Sequence, residues 1–200
     1  MWMWCGLLVA ALAVGCGADD DGDDTGSVGD GGASDGGTGD GGAGDGGTAG
    51  TDIASRLTRT GGCSDLVVWA TSDDETWALW VVEDGGMVQA AHDAGATISS
   101  TWDMGMDLTD APDVTVLQGS NLGVLFCNDV AETYTIDHQW TMVDGTLTIE
   151  VTPTGDATKW GEMPADATLT VTDGVFSASG IEDVLISSFE TTVAVGWLPG

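Results

Sequence analysis

The side chains that most often carry out catalysis are scarce in this chain, and they lack the spacing of a known active site. Only two histidines occur, His92 and His138, and the HExxH, P-loop and CxxC patterns are absent. We expect His138 to be a hydrogen-bonded residue of a core or its rim, and His92 to lie on the surface. Carboxylate pairs arise by chance among 33 acidic residues, so no glycosidase pair can be assigned. The sequence therefore predicts no catalytic residue and no enzymatic activity.

Two acidic stretches offer ligands for a metal ion. One carries Asp103, Asp107, Asp110 and Asp113, and the other is residues 73–75, Asp-Asp-Glu. Carboxylate oxygens on loops are the ligands that Ca²⁺ prefers. A solvated acidic surface explains the same residues and is the interpretation we favour. No metal or cofactor site is therefore assigned, and calcium stays open as the alternative.

The tryptophans are the second group able to bind a ligand. Seven of the nine lie within residues 56–200, and five of them are candidates for contact with a partner: Trp69, Trp77, Trp80, Trp102 and Trp160. Core packing is the expected role of most, since tryptophan usually buries its ring. One or two could stack on a carbohydrate ring or on an aromatic group of a protein.

The charge balance excludes several classes of partner. Three basic residues (Arg56, Arg59 and Lys159) stand against 33 acidic ones, which gives a net charge of −30. Nucleic acids and anionic membrane surfaces are recognised through clustered basic groups, so neither is an expected partner. Such acidity is typical of a well-hydrated surface, and we expect a monomer.

Short strands are the elements that must position these side chains. Asp144-Gly145 and Asp173-Gly174 each stand between alternating runs, which is a strong hairpin signal. We therefore predict one hairpin from residues 135–143 and 146–152, and a second around residues 173–174. In residues 66–71 and 76–83 both faces are apolar, with Trp69 and Trp80 on one face and Val68, Leu79 and Val81 on the other.

Further strands are predicted at five places: residues 98–106, 114–118, 122–127, 184–189 and 192–198. Residues 87–94 are expected to form a short helix that ends at Gly95. About ten short strands with close turns indicate an all-β fold, an antiparallel β-sandwich of jelly-roll-like or Ig-like type, over residues 56–200.

The N-terminus has the composition of an export signal. Residues 1–16 carry no charged side chain, and the apolar run of residues 6–15 is shorter than the roughly 20 residues that span a bilayer. Residues 12–16, Leu-Ala-Val-Gly-Cys, resemble the lipobox of bacterial lipoprotein precursors. The resemblance implies a signal peptide over residues 1–15 and acylation of Cys16, including palmitate, which anchors the protein to a membrane. An uncleaved membrane helix and simple secretion are the alternatives.

A spacer follows the predicted anchor. Residues 17–50 contain 15 Gly and nine Asp but no aromatic residue. Such a segment buries too little apolar surface to offset its chain entropy, so residues 16–55 are predicted to be a disordered tether. Gly17 follows Cys16 in place of the Asp that retains some lipoproteins at the inner membrane, which favours the outer membrane.

The remaining cysteines form an even pair. If Cys5 leaves with the signal and Cys16 is acylated, Cys63 and Cys127 remain, and we predict a disulfide between them in an exported chain. A thiol nucleophile or a metal-binding pair is the alternative. The leading hypothesis is a lipid-anchored binding or adhesion module for a carbohydrate or protein ligand. A structural envelope protein without a ligand and a hydrolase with an unrecognised site are the other two hypotheses.

Overall fold

The computed structural model describes residues 50–84, 86–106, 110–127, 132–157 and 162–196. The predicted signal peptide, the predicted acylation site Cys16 and nearly all of the predicted tether lie outside the described residues. Asp107, Lys159 and Trp160 lie outside them as well.

The described chain forms nine strands and one α-helix. The strands are β1 (Gly50–Asp52), β2 (Arg59–Cys63), β3 (Val67–Thr71), β4 (Trp77–Val82), β5 (Ile98–Asp103), β6 (Asp113–Ser120), β7 (Thr135–Pro153), β8 (Ala165–Ser177) and β9 (Asp183–Val195). Helix α1 (Met87–Ala94) follows β4, and 3₁₀-helical turns occupy Ala54–Arg56 and Leu122–Leu125. The helix lies where the sequence predicts it, and it ends at Gly95, which adopts the left-handed conformation.

All nine strands belong to one sheet. Their order is β1-β9-β8-β7-β6-β4-β3-β2, and β5 pairs with the other half of the β7 edge. The β1–β9 pair is parallel and the remaining pairs are antiparallel. The sheet curls until its ends approach, so that the Gly196 amide donates to the Ser64 carbonyl over 2.7 Å.

The all-β fold with one short helix is confirmed. The strand number and arrangement differ from the expectation, because about ten short strands in two sheets were predicted and the described residues form nine strands in one curled mixed sheet. The main reason is that β7, β8 and β9 have 19, 13 and 13 residues. In each of these long strands, the sequence predicts two shorter strands separated by a turn.

The two predicted Asp-Gly hairpins are wrong, because both dipeptides lie inside continuous strands. The register of β7 and β8 shifts at Asp144 and Gly145, where Asp144 lies opposite Val175. Gly145 and Asp173 have positive φ values of 99° and 51°, and the two dipeptides face each other across the ladder. They act as bulges that bend the pair, so that the first half of β7 pairs with β6 and the second half with β5.

The predicted strand at residues 122–127 is also wrong. Leu122–Leu125 form a 3₁₀-helical turn, and Leu122 and Phe126 are buried against the sheet. The strand predicted at residues 184–189 and the described part of the strand predicted at residues 192–198 form a single strand, β9, which runs on through Glu190 and Thr191.

The main core lies on the concave side of the curled sheet. Val68, Leu79 and Val81 are fully buried there, as their predicted face requires. Helix α1 contributes Val88 and Ala91 to this core. Burying each large aliphatic side chain stabilises the fold by roughly 1.5–3 kcal/mol. Ile53 is fully buried too, and its amide donates to Leu185, so the fold includes residues before position 56.

Candidate functional site

The convex side of β3 and β4 carries a cross-strand pair of tryptophans. Trp69 lies directly opposite Trp80 in the antiparallel register, and both alternate with core residues. The predicted division of the two strands into a tryptophan face and an aliphatic face is therefore confirmed. We call this convex surface the outer face, defined by Trp69, Trp80, Ala78, Leu117 and Thr115.

Gly61 of the edge strand β2 makes room for one of these rings. It pairs with Trp69 in the β2–β3 ladder, and a Cβ at this position would collide with the Trp69 indole. The indole therefore extends across β2, where it contributes to a small second core. That core contains Ala78, Leu117, Leu122 and Phe126.

Residues 121–127 lie over part of the outer face, and we call this segment the cover. The Phe126 ring stacks on Trp69 with centroids 5.6 Å apart and planes inclined by 12°. It meets Trp80 at 5.9 Å and 58°. A disulfide joins Cys127 at the end of the cover to Cys63 of β2, whose Cα atoms are 5.9 Å apart. The pairing is the one that the cysteine count predicts.

Trp80 remains accessible beside the cover. It is 36% exposed, whereas Phe126 is 5% exposed. The neighbouring strands place Thr115 opposite Trp80 and Thr141 opposite Thr115. An exposed aromatic ring in contact with the Phe126 ring therefore lies next to two threonine hydroxyl groups.

The acidic residues 73–75 have a structural role at one end of this face. Asp74 accepts hydrogen bonds from the Ser72 hydroxyl at 2.6 Å, the Thr76 hydroxyl at 2.8 Å and the Thr76 amide at 3.2 Å. The Ser72 bond and then the Thr76 bonds lower the pKa of Asp74 below its ordinary value. Asp73 accepts from the Thr58 hydroxyl at 2.7 Å. Both carboxylates thus fix the β3–β4 turn.

Glu75 connects that turn to the cover and to β2. Its carboxylate forms an ion pair with Arg59, and its carbonyl accepts from the Leu122 amide over 3.0 Å. A Cβ on Gly123 would lie 2.8 Å from the Glu75 carboxylate, so the cover approaches this residue closely. The positive charge of Arg59 is therefore already paired at the site.

No protein-family model, curated protein or solved structure matches the chain. Its function can therefore be inferred only from the arrangement of its own residues. No helix within the described ranges is long and apolar enough to cross a bilayer.

A polar groove is the second candidate site. It has a volume of about 570 Å³ and lies between the end of α1 and the end of β7, where His92, Asp93, Thr97, Thr152 and Asp156 line it. His92 is half-buried, and its Nε2 lies 3.1 Å from the Pro164 carbonyl oxygen. Asp93 accepts from the Gln89 amide at 2.8 Å, and the Thr97 and Thr152 hydroxyls are 2.8 Å apart. The side chains of His92, Asp93, Thr97 and Thr152 therefore already have hydrogen-bond partners within the protein.

Trp77, Trp102 and His138 lie apart from the outer face. Trp77 stacks on Trp140 inside the main core with centroids 5.7 Å apart, and Trp102 packs against that core. His138 is exposed, and its ring lies 5.6 Å from that of the buried Trp140, so of the two expected positions it takes the one at the rim of the core. The described residues contain no group of three or more His, Cys, Asp or Glu side chains placed to hold a metal ion.

Several residues of the site escaped sequence reasoning. The sequence predicts a strand at Phe126, and it does not indicate that Thr71, Arg59 and Glu75 lie near the tryptophans. The sequence of β3 and β4 did predict that Trp69 and Trp80 share one face. Nothing in the local sequence of residues 121–127 shows that this segment supplies it.

Proposed function

We propose that this protein is a lipid-anchored binding module, held at the outer membrane through Cys16, whose outer face binds a neutral saccharide chain without catalysis. The Gly- and Asp-rich spacer separates the module from the membrane. The observation that carries the proposal is the exposed Trp80 ring, braced by Phe126 beside a row of threonine hydroxyls.

The chemistry of the face favours a sugar. The apolar face of a pyranose stacks on an indole, and the sugar hydroxyls exchange hydrogen bonds with hydroxyl groups such as those of Thr115 and Thr141. A net charge of −30 and the pairing of Arg59 with Glu75 disfavour an anionic glycan. A neutral chain meets no such penalty.

Isothermal titration of the exported chain against neutral oligosaccharides tests this proposal. The protein is purified with its anchor in a polyoxyethylene detergent, because this detergent carries no sugar headgroup. Hexasaccharides of glucose, mannose, galactose and N-acetylglucosamine are the probes. We expect Trp80→Ala to weaken the binding of the recognised sugar about tenfold, the effect of losing one stacked aromatic contact.

Ile136→Ala is the matched control. Ile136 is also a large exposed side chain, at 43%, but it lies on the opposite face of the sheet at the β6–β7 pair. This variant should bind as the wild type does. Equal affinity of Trp80→Ala and the wild type, or no binding of any probe, contradicts the proposed function.

A further inference from the structure

Two buried polar atoms beneath the outer face have no hydrogen-bond partner. They are the Trp69 indole nitrogen Nε1 and the Thr71 hydroxyl oxygen Oγ1, and they are the unpartnered buried side-chain nitrogen and oxygen atoms of the described residues. Thr71 is fully buried. Leaving a buried donor or acceptor unpaired is unfavourable, and native proteins rarely do so.

Both atoms belong to the same face of one strand. Trp69 and Thr71 are two residues apart in β3, so their side chains project to the same side. Thr71 lies opposite Ala78, which packs with Leu122 and Phe126 in the small core under the cover. The unpartnered groups are therefore next to Trp80 but closed off from a ligand by the cover.

The cover has the features of a hinged segment. Asn121 and Cys127, its first and last residues, adopt left-handed conformations with φ values of 55° and 51°. Its ends are fastened by the disulfide and by the Asn121 side-chain amide, which donates to the Thr133 carbonyl at 2.9 Å. Between them, the Leu122 amide donates to the Glu75 carbonyl over 3.0 Å, and Leu122 and Phe126 contact the sheet through apolar surface. A displacement between the fastened ends breaks this one hydrogen bond and the apolar contacts, and it exposes Trp69 and Thr71.

We propose that the cover lifts when a long saccharide binds, and that Trp69 and Thr71 then form a second sugar subsite continuous with Trp80. This inference rests on the proposed function of the outer face. The indole N–H donates to a sugar oxygen, and the threonine hydroxyl donates to or accepts from a sugar hydroxyl. The aromatic rings of Trp69 and Trp80, opposite each other across β3 and β4, then stack on neighbouring sugar units.

Thr71→Val separates this role from a purely structural one. Valine has nearly the shape of threonine but no unpaired hydroxyl, so the ligand-free variant should melt about 2–4 °C higher than the wild type. Its affinity for a hexasaccharide should fall about three- to tenfold, the effect of one lost hydrogen bond. Its affinity for a disaccharide, which Trp80 alone accommodates, should stay unchanged.

Trp69→Phe is the second variant. It keeps an aromatic ring but removes the N–H donor, so it should show the same selective loss for the hexasaccharide. Hydrogen exchange of the cover amides, measured on the wild type, should become faster with the hexasaccharide and not with the disaccharide.

The outcomes separate the subsite from the proposed function. If Trp80→Ala weakens binding but Thr71→Val and Trp69→Phe leave the hexasaccharide affinity unchanged, the subsite is overturned and the outer face stands. A lower melting temperature for Thr71→Val overturns the subsite as well, because the hydroxyl then has a partner in the free protein. If the wild type binds peptides and no saccharide, the proposed function fails and the subsite fails with it.

Discussion

Hydrogen bonds around single carboxylates explain much of the acidic surface near the candidate site. Asp74 accepts three bonds from Ser72 and Thr76, and Asp73 accepts one from Thr58. These groups order the turn that carries Glu75, which in turn pairs with Arg59 and binds the start of the cover. The acidic residues 73–75, which the sequence offers as ligands for calcium, therefore stabilise the turn and the cover next to the outer face.

The stabilisation that the Asp74 hydrogen bonds provide should depend on pH. Because the pKa of Asp74 is lowered in the folded state from 3.8, its ionised form stabilises the fold at pH values above 3.8. The contribution is lost as the pH falls through the lowered folded pKa. The free energy of unfolding of the wild type should therefore exceed that of Asp74→Ala by a constant amount at neutral pH. That difference should shrink below pH 3.8, as urea titrations at several pH values will show. A difference that grows toward low pH contradicts this role.

At the scale of elements, the sequence correctly predicted the features that depend on neighbouring residues alone. Helix α1 ends before Gly95, because Gly95 adopts the left-handed conformation, which glycine tolerates better than other residues. The alternation of side chains in β3 and β4 follows from the burial of apolar residues on both faces of these strands. Asp144-Gly145 has the composition of a hairpin turn as well as of a bulge. Only pairing with a strand that begins at Ala165, well beyond the dipeptide, decides between them.

The cover shows the same limit. Residues 122–127 are apolar because they pack on Trp69 and the outer face, and a buried strand has the same composition. The disulfide could be predicted from the number of cysteines. That it holds the cover against the outer face could not be predicted in this way.

The Cys63–Cys127 disulfide should contribute substantially to stability. The two cysteines are 64 residues apart, and closing a loop of this length stabilises a fold by about 4 kcal/mol through chain entropy. Urea unfolding of a Cys63→Ala/Cys127→Ala variant should show a loss of this size. Hydrogen exchange should accelerate at the cover before it does in the β7–β8 pair. Equal stability of the variant and the wild type would contradict the account.

At the scale of the whole molecule, the predicted export and anchoring rest on the sequence of residues 1–16. The lipobox-like residues 12–16 predict acylation at Cys16 and not at Cys5, because only Cys16 follows an apolar run and small residues. In a bacterium fed a fatty-acid probe, Cys16→Ser should abolish labelling and Cys5→Ser should leave it intact. Equal labelling of the two variants would refute the anchor.

A residue-resolved titration tests the central claim most directly. In the NMR spectrum of the labelled protein, each tryptophan gives an indole N–H signal, and Trp80 can be assigned by its loss in Trp80→Ala. We predict that the recognised hexasaccharide shifts the signals of Trp80 and Thr115, while the core pair Trp77 and Trp140 stays unchanged. Shifts confined to His92 and its groove, with an unaltered Trp80, would place the binding site elsewhere and contradict the account.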